Sequence, residues 1–357
     1  MRICHFTSVH DWNDDRIFLK ECQSLVKAGH EVYIVAEGID CDVAGVHVIG
    51  CGEKPLGRRA RMGDFARLVY EKACDLDCAV YHFHDPELLP YGMKLKEKGK
   101  IVIFDSHEDV PGQIMSKEWI PVPLRWIISR LYRMYESYAV RKFDAVVTAT
   151  PYIATLFKNR AKKVVVINNY PKLDDIVFQK KPFKEREAIV CYAGGISEIR
   201  GEKIMIEAMR GIPNAKLVLA GPCEEEKGIS TGNIKYLGKV SRAEVNKLYG
   251  NSRVGIVLYQ PAPNHYESQP IKMFEYMAAG IPVVCSDFPL WKRIVLESRC
   301  GLCVDSTNVK EVEAACVQLL FNVERAQEMG RCGRNMVERK YSWLVEERKL
   351  LGLYNEV

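Results

Sequence analysis

Asn264-His265-Tyr266-Glu267-Ser268-Gln269-Pro270-Ile271-Lys272-Met273-Phe274-Glu275-Tyr276-Met277-Ala278-Ala279-Gly280-Ile281-Pro282-Val283-Val284 is the passage whose reading decides the fold. The apolar run Val254–Leu258 precedes it, and Pro282–Ser286 is a second such run. Between them, Pro270 suits the first turn of a helix, where a missing N–H costs nothing. Gly280 ends that helix, because glycine takes the left-handed conformation that closes a helix. The passage is therefore strand, helix, strand, and its helix N-terminus favours an anion.

The same alternation runs through the chain. Ile3–Ser8 reads as a strand, Arg16–Ala28 as a helix stopped by Gly29, and Glu31–Ala36 as a strand. Further strands are predicted at Ala79–His84, Ile101–Asp105, Asp144–Thr148 and Val164–Asn168. The pattern restarts at Ile189–Ala193, Lys216–Ala220, Ile234–Leu237, Val254–Leu258, Pro282–Ser286 and Gly301–Val304. Short apolar strands separated by helices predict parallel sheets covered on both faces. The polar, lysine-rich stretch between the two series holds Pro171 and Pro182. We read it as a linker over 171–187, between a first domain at 1–170 and a second at 188–340. Two doubly wound α/β domains facing each other across a cleft would bind ligands beyond the carboxyl ends of their strands.

Bulk properties agree with this reading. The 357 residues suit two domains, with 48% apolar and 27% charged residues. The net charge of +5 does not point to nucleic acid as a partner. Thirteen cysteines form no zinc-binding pattern, since Cys300 and Cys303 make a lone C-x-x-C. Cys4, Cys191, Cys285 and Cys303 lie in strand-like runs and read as buried thiols, which predicts a reducing cytoplasm. The N-terminus reaches Asp14 and Asp15 too early for a signal peptide. No run approaches the roughly 18 apolar residues of a membrane span.

Chemistry enters with three residues of the opening passage. Lys272 lies in the first helical turn, and Glu275 is three residues on along the same face. A cation near phosphate and a carboxylate near ribose hydroxyls would hold a nucleotide diphosphate. Glu267, in the loop before, could reach sugar hydroxyls. Lys272 and Glu275 alone favour an ordinary surface helix with a solvated Lys and Glu. The full string is more specific. Its Glu267-x(7)-Glu275 spacing, with Pro270, Lys272 and Phe274 to Val284, resembles the signature of the family 4 glycosyltransferases of the GT-B fold. The resemblance implies that Glu275 binds the ribose, Lys272 the diphosphate and Glu267 the donor sugar.

A second matching element is Ala193-Gly194-Gly195-Ile196-Ser197-Glu198-Ile199-Arg200-Gly201. Small residues let the backbone approach phosphates, and Arg200 supplies a fixed positive charge. Many family members carry Arg at the position of Gly195 and Lys at that of Arg200. One expected cation is thus missing, and Arg200 and Lys272 must serve together. The resemblance also puts Gly221 and Val240 beside the nucleotide base, although turn chemistry alone explains Gly221-Pro222 and Gly238-Lys239-Val240 equally well. Asp305 fits the pattern and reads as structural. The tail Lys340-Tyr341-Ser342-Trp343 resembles the start of the family's closing helix, 341–357, which crosses back to the first domain; its aromatics read as packing.

The first domain departs from the family. Its first loop, Thr7 to Phe18, is polar where many relatives are glycine-rich. His10, Asp14 and Arg16 either line the cleft on the acceptor side or, with Asn13 and Asp15, cap the following helix. Two other strand ends read His82-Phe83-His84-Asp85-Pro86-Glu87 and Phe104-Asp105-Ser106-His107-Glu108-Asp109. Such strings can hold a metal, but the resemblance implies a site that needs neither metal nor cofactor. It implies His107 as the catalytic contact of this domain. Glu108 is the weaker carboxylate candidate, and Asp85 and Glu87 either bind acceptor or cap a helix.

Residues 113–142 combine Trp126, Ile127, Ile128, Leu131 and Met134 with Arg125, Arg130 and Arg133 on a predicted helix from Leu124. Arg58, Arg59 and Arg61 add a second basic cluster. Aromatics among arginines suit an interfacial helix on anionic lipid. The alternative is an ordinary domain helix with its apolar stripe in the core. Trp126, Arg130 and Arg133 are the predicted membrane contacts, on the inner face of a cell membrane.

The expected activity is retaining transfer of a sugar from a nucleotide-diphosphate sugar, a UDP-sugar by expectation. The acceptor is a glycan or lipid-linked molecule in cell-surface polysaccharide synthesis. His107, Glu267, Arg200 and Lys272 are the predicted catalytic set, stabilising charge on the leaving phosphate. Rival readings are a nucleotide-sugar epimerase of the same fold and a non-catalytic partner that binds the donor. A dehydrogenase is disfavoured, since no G-x-G-x-x-G follows the first strand.

Overall fold

The computed structural model describes residues 1–117, 119–178, 181–223 and 230–357. The chain divides into two compact units, Met1–Asn169 with Glu346–Val357, and Tyr170–Val345. Of the stretch read as a linker, Gln179 and Lys180 lie outside the described residues. Tyr170, Ile176 and Phe183, at and within its edges, are buried in the core of the second unit.

The first unit holds an eight-stranded sheet. Its strands are β1 (Arg2–Asp11), β2 (Glu31–Glu37), β3 (Cys41–Val43), β4 (Val46–Gly50), β5 (Val80–Phe83), β6 (Ile101–Ser106), β7 (Ala145–Thr148) and β8 (Val164–Val166). They lie in the order β3-β4-β2-β1-β5-β6-β7-β8, and all pairs but β3–β4 are parallel. The second unit has six parallel strands: β9 (Ile189–Ala193), β10 (Lys216–Ala220), β11 (Ile234–Tyr236), β12 (Val254–Val257), β13 (Val283–Ser286) and β14 (Gly301–Val304). Their order is β11-β10-β9-β12-β13-β14. β5, β7, β9, β12 and β13 are buried at every residue, which is why they read as unbroken apolar runs. These are two Rossmann-like sheets of a GT-B fold. The strand order reverses between β1 and β5 and between β9 and β12, where ligands of such sheets bind.

The opening passage folds as read, with one refinement. The helix runs Ile271–Ala278, and Pro270 caps it with extended backbone rather than sitting inside the first turn. At the other end Gly280 has φ +71°. Its N–H donates to Met277 O at 3.0 Å, and Ile281 N–H donates to Tyr276 O at 3.0 Å. This double closure satisfies carbonyls that the helix leaves open. Arg334 Nη1 covers a third, Ala278 O, at 2.6 Å.

Three expectations change. β1 continues past Ser8 to Asp11, with an irregularity after Phe6. The helix after it opens with a π-helical stretch, Ile17–Cys22. The β3–β4 hairpin has no counterpart in the sequence reading.

The basic aromatic helix spans Val122–Val140. The alternative of a core-facing apolar stripe is overturned. Trp126, Leu131 and Met134 are 58%, 60% and 62% exposed, and the buried residues are Glu136, Ala139 and Val140. No helix among the described residues is long and apolar enough to cross a membrane. All thirteen cysteines are free thiols.

Candidate functional site

The second unit gathers its predicted residues at the carboxyl end of β9. Gly194 leaves the strand with φ +147°, and a Cβ there would lie 1.9 Å from Lys272 Cε and 2.4 Å from Nζ. Glycine is required because the lysine crosses directly over the backbone. Lys272 Nζ also stands 5.4 Å from the centre of the Tyr192 ring. Burial, then the nearby Arg200, holds its ammonium down at about 8, with Glu275 pulling the other way. Two cations thus approach the same pair of glycines.

Arg200 explains the glycine at 195. Its Nη1 donates to Gly195 O at 3.2 Å, and a Cβ on Gly195 would fall 2.1 Å from that nitrogen. The guanidinium fills the space that a side chain at 195 would take. The loop between is fixed: Gln260 N–H donates to Ile199 O at 2.9 Å, and Gly201, at φ +82°, lies under Leu258 O. On the other side, Gly194 N–H donates to Ala220 O at 2.7 Å. Gly221, at φ +130°, has room for no Cβ, because Gly194 O would lie 2.2 Å away. Its N–H donates to Gly238 O at 2.8 Å. Val240 is half-buried and packs on the core, just before the Ser241–Glu244 capping box that starts helix Arg242–Asn251.

Glu275 lies one turn beyond Lys272 and is buried. Its Oε1 accepts from Arg242 Nη1 at 2.8 Å and its Oε2 from Tyr249 Oη at 2.8 Å. The sequence reading missed both partners. A carboxylate has about four acceptor positions, so two remain for hydroxyls. Glu267 is exposed and follows the short helix Pro263–Tyr266. Its loop is held by Trp291 Nε1 donating to Ser268 O at 2.7 Å and His265 Nδ1 donating to Gln260 O at 2.7 Å. Asp305 accepts from Thr307 N and Oγ1 at 2.8 and 2.7 Å, forming a turn. Tyr341 packs on Phe274 and Tyr170.

In the first unit the candidates separate into different environments. Asp14 caps the helix, accepting from Arg16 N at 2.8 Å and Ile17 N at 2.9 Å, and also faces His10 Nδ1 at 3.2 Å. The His10 imidazole loses proton affinity by burial and regains more from Asp14 and Asp85, ending raised. Arg16 does not line an open surface. It is 4% exposed, its Nε and Nη2 grip Asp105 Oδ2 and Oδ1 at 3.0 and 3.1 Å, and Nη1 donates to Ile167 O at 2.7 Å. Asp85 is also buried, and caps no helix through its side chain. Its Oδ2 collects Thr7 Oγ1 at 2.7 Å, Ser8 N at 2.6 Å and Val9 N at 3.2 Å, pinning the end of β1 to β5. Glu87 takes Ser8 Oγ at 3.2 Å and Arg61 Nε at 3.2 Å. Glu108 is exposed and accepts from Gln113.

His107 follows β6 and is half-buried, its Nε2 3.2 Å from Asp105 Oδ2. Its ring centre is 5.3 Å from that of His10 and 5.5 Å from that of His84. Burial opposes ionisation of Asp105, yet Arg16 and then His107 hold its carboxyl well below the usual range. Asp105 was quoted in the sequence but given no role, because its partner Arg16 is 89 residues away.

The features of the family described as "Glycosyl transferases group 1" match residues 174–336, and those of "Glycosyltransferase Family 4" match residues 16–170. The phosphatidyl-myo-inositol mannosyltransferase of Mycobacterium leprae is 28% identical over 179 residues, 47% of this chain and 46% of that protein. The chain therefore spans about half the length of such curated relatives in the matched region. Among solved structures, sucrose-phosphate synthase from Thermosynechococcus elongatus superposes with a TM-score of 0.75 at 16% identity, over 100% of this chain and 99% of that one. HepE of Anabaena, in complex with UDP and glucose, gives 0.74 at 12% identity over the whole of both chains. With two Rossmann-like sheets and both halves matched, the chain belongs to the family 4, or group 1, glycosyltransferases of the GT-B fold.

Proposed function

We propose that this protein transfers a sugar from a nucleotide-diphosphate sugar, with a UDP-sugar as donor and retention of the anomeric configuration. The observation that carries the reading is the meeting of Lys272 and Arg200 over the two glycines after β9, with Glu275 one turn along. A diphosphate between these cations would gain charge-assisted hydrogen bonds, and more of them as the leaving phosphate gathers charge. In this reading Glu275 takes the ribose hydroxyls, Gly221 and Val240 flank the base, and Glu267 meets the donor sugar; His107 is the catalytic candidate of the first unit. UDP is favoured because HepE, of like fold, is described in complex with UDP and glucose.

We place the acceptor on a membrane surface, as a lipid-linked glycan of surface polysaccharide synthesis. Support comes from helix Val122–Val140, where Trp126, Leu131 and Met134 stand exposed among Arg130 and Arg133. Arg130 lies over the Trp126 ring at 5.5 Å. Burial, then the nearby Arg58, pushes the Lys117 ammonium down, so one arginine of the 58–61 cluster lies near Lys117, which precedes this helix in the chain. The relative from Mycobacterium leprae is named for a phosphatidylinositol acceptor.

A panel of UDP-, GDP- and ADP-sugars tests the donor by calorimetry and by hydrolysis. Binding and turnover of one UDP-sugar, both lost in Lys272→Ala, is the expected result. Donor turnover without any transfer to lipid extracts, or no nucleotide binding at all, would sink the reading.

A further inference from the structure

A second cluster lies inside the first unit. His5 on β1 pairs in register with His82 on β5, and His84 follows directly after that strand, its N–H still donating to Phe6 O of β1 at 3.3 Å. Alternate residues of a strand share a face, so the three rings stand on one side of the sheet. Glu21 joins them from the π-helical stretch. All four residues are buried, three at 0% exposure and His84 at 2%.

One donor atom from each of His5, Glu21, His82 and His84 lies within 4.8 Å of all the others. His5 Nδ1 is 3.0 Å from His84 Nε2 and 3.9 Å from Glu21 Oε2. Ligands at the corners of a zinc tetrahedron stand about 3.3 Å apart, given zinc–nitrogen bonds near 2.0 Å. Among the described residues, no hydrogen bond reaches His82 Nε2, His84 Nδ1 or either oxygen of Glu21. Glu21 has ion contacts with Arg16, Oε1 to Nε at 3.2 Å, and with His5, and Asp105 stands beside it. Lone pairs buried without donors are uncommon and call for an explanation.

The far nitrogens supply a second observation. His5 Nε2 lies 3.3 Å from Tyr354 Oη, His82 Nδ1 lies 2.9 Å from the same oxygen, and His84 Nδ1 lies 3.4 Å from Asp105 Oδ2. His5 and His82 therefore each turn one nitrogen to an oxygen acceptor and the other toward the shared centre, while His84 Nδ1 faces Asp105 in an ion contact without a hydrogen bond. Histidines that ligate a metal have this arrangement, because the outer N–H fixes the tautomer and orients the ring. Tyr354 can accept both N–H groups with its two lone pairs.

We propose that His5, Glu21, His82 and His84 bind a single Zn²⁺ in a closed, structural site, with Tyr354 and Asp105 orienting the ligands. Three imidazoles and one carboxylate suit zinc, and complete burial leaves no open position for a substrate. The site ties β1, β5 and the helix after β1 to Tyr354 of the helix Trp343–Glu356. It lies within the first unit and does not depend on the proposed transfer reaction.

Metal content of the full chain, grown with added zinc and purified without chelator, is the direct test. About one zinc per chain is expected. Metal-depleted chain should regain a higher Tm on adding Zn²⁺, and should show the strong visible bands of tetrahedral cobalt on adding Co²⁺. His82→Gln should lose the zinc. Zinc near zero in the unaltered chain overturns the proposal, as does zinc undiminished by His82→Gln. Should that variant not fold, the cobalt spectrum of the unaltered chain decides: intense tetrahedral bands support the site, and weak or absent bands overturn it.

Discussion

Lys272 shows how one side chain can report on its ligand. Its ammonium is held at about 8 because burial and Arg200 both oppose the charge. A diphosphate between the two cations reverses the second effect and removes the cost of the first. Binding near about pH 8.5 should therefore take up a proton, and affinity for UDP should fall as pH rises above about 8. Calorimetry in buffers of different ionisation heat measures the uptake. Equal apparent heats in all buffers would count against Lys272 as the diphosphate ligand. Gly195 makes a second prediction. In Gly195→Ala the new methyl displaces the Arg200 guanidinium, the flexible partner of the pair. UDP affinity should drop about tenfold, which is roughly 1.4 kcal/mol, with stability little changed. The sequence showed that a cation was missing at 195; it did not show that Arg200 occupies that volume. Spacing makes Lys272 and Glu275 neighbours on a helix, whereas the Arg242 and Tyr249 contacts of Glu275 bridge 33 and 26 residues and leave no local trace.

At the scale of elements, the strands that were legible are those written as short apolar runs between helices, whether or not every residue is buried. β9, β10 and β14 have the bounds that apolar runs alone give. β3 and β4 were missed for a physical reason. Their turn is Ala44-Gly45, at φ 53° and 80°, and alanine is not a residue that announces left-handed backbone. Burial alternates along β4, but over only five residues. Helix Val122–Val140 was legible as a helix, while its orientation came only from which side chains are exposed. That exposure makes a prediction about the element as a whole. Replacing Trp126 by Ala and Arg130 by Glu removes an apolar anchor and reverses a charge without touching a core. Unfolding free energy should change by no more than about 0.5 kcal/mol. Pelleting with vesicles rich in anionic lipid should fall several-fold, and should be insensitive to the same changes in neutral vesicles. Undiminished pelleting with anionic vesicles would remove this helix as the contact.

Each unit of the molecule has a core of its own, one around β1, β5 and β6 and one around β9, β12 and β13. The two are built differently. The second is apolar almost throughout, with Arg186 and Glu275 the buried charged side chains among its described residues. The first carries Arg16, Asp105 and Glu21 inside it, all at 4% exposure or less. A buried ion pair adds little over an apolar pair of the same shape, but removing one partner strands the other in a medium that cannot solvate it. Arg16→Met leaves the buried Asp105 carboxylate without the guanidinium that grips it, at a cost of about 3–5 kcal/mol. A whole domain is stable by only about 5–15 kcal/mol, so this is a large share for the unit that contains it. Hydrogen exchange resolved by segment provides the measurement. Arg16→Met should speed exchange in β1, β5 and β6, while saturating UDP should slow it around β9 and helix Ile271–Ala278. At a hundred times its dissociation constant, UDP contributes about 2.7 kcal/mol to the state that binds it. If Arg16→Met leaves exchange in β1 and β6 unchanged, the guanidinium does not hold that core together. The polar first loop would then have to be read again as a surface that meets the acceptor.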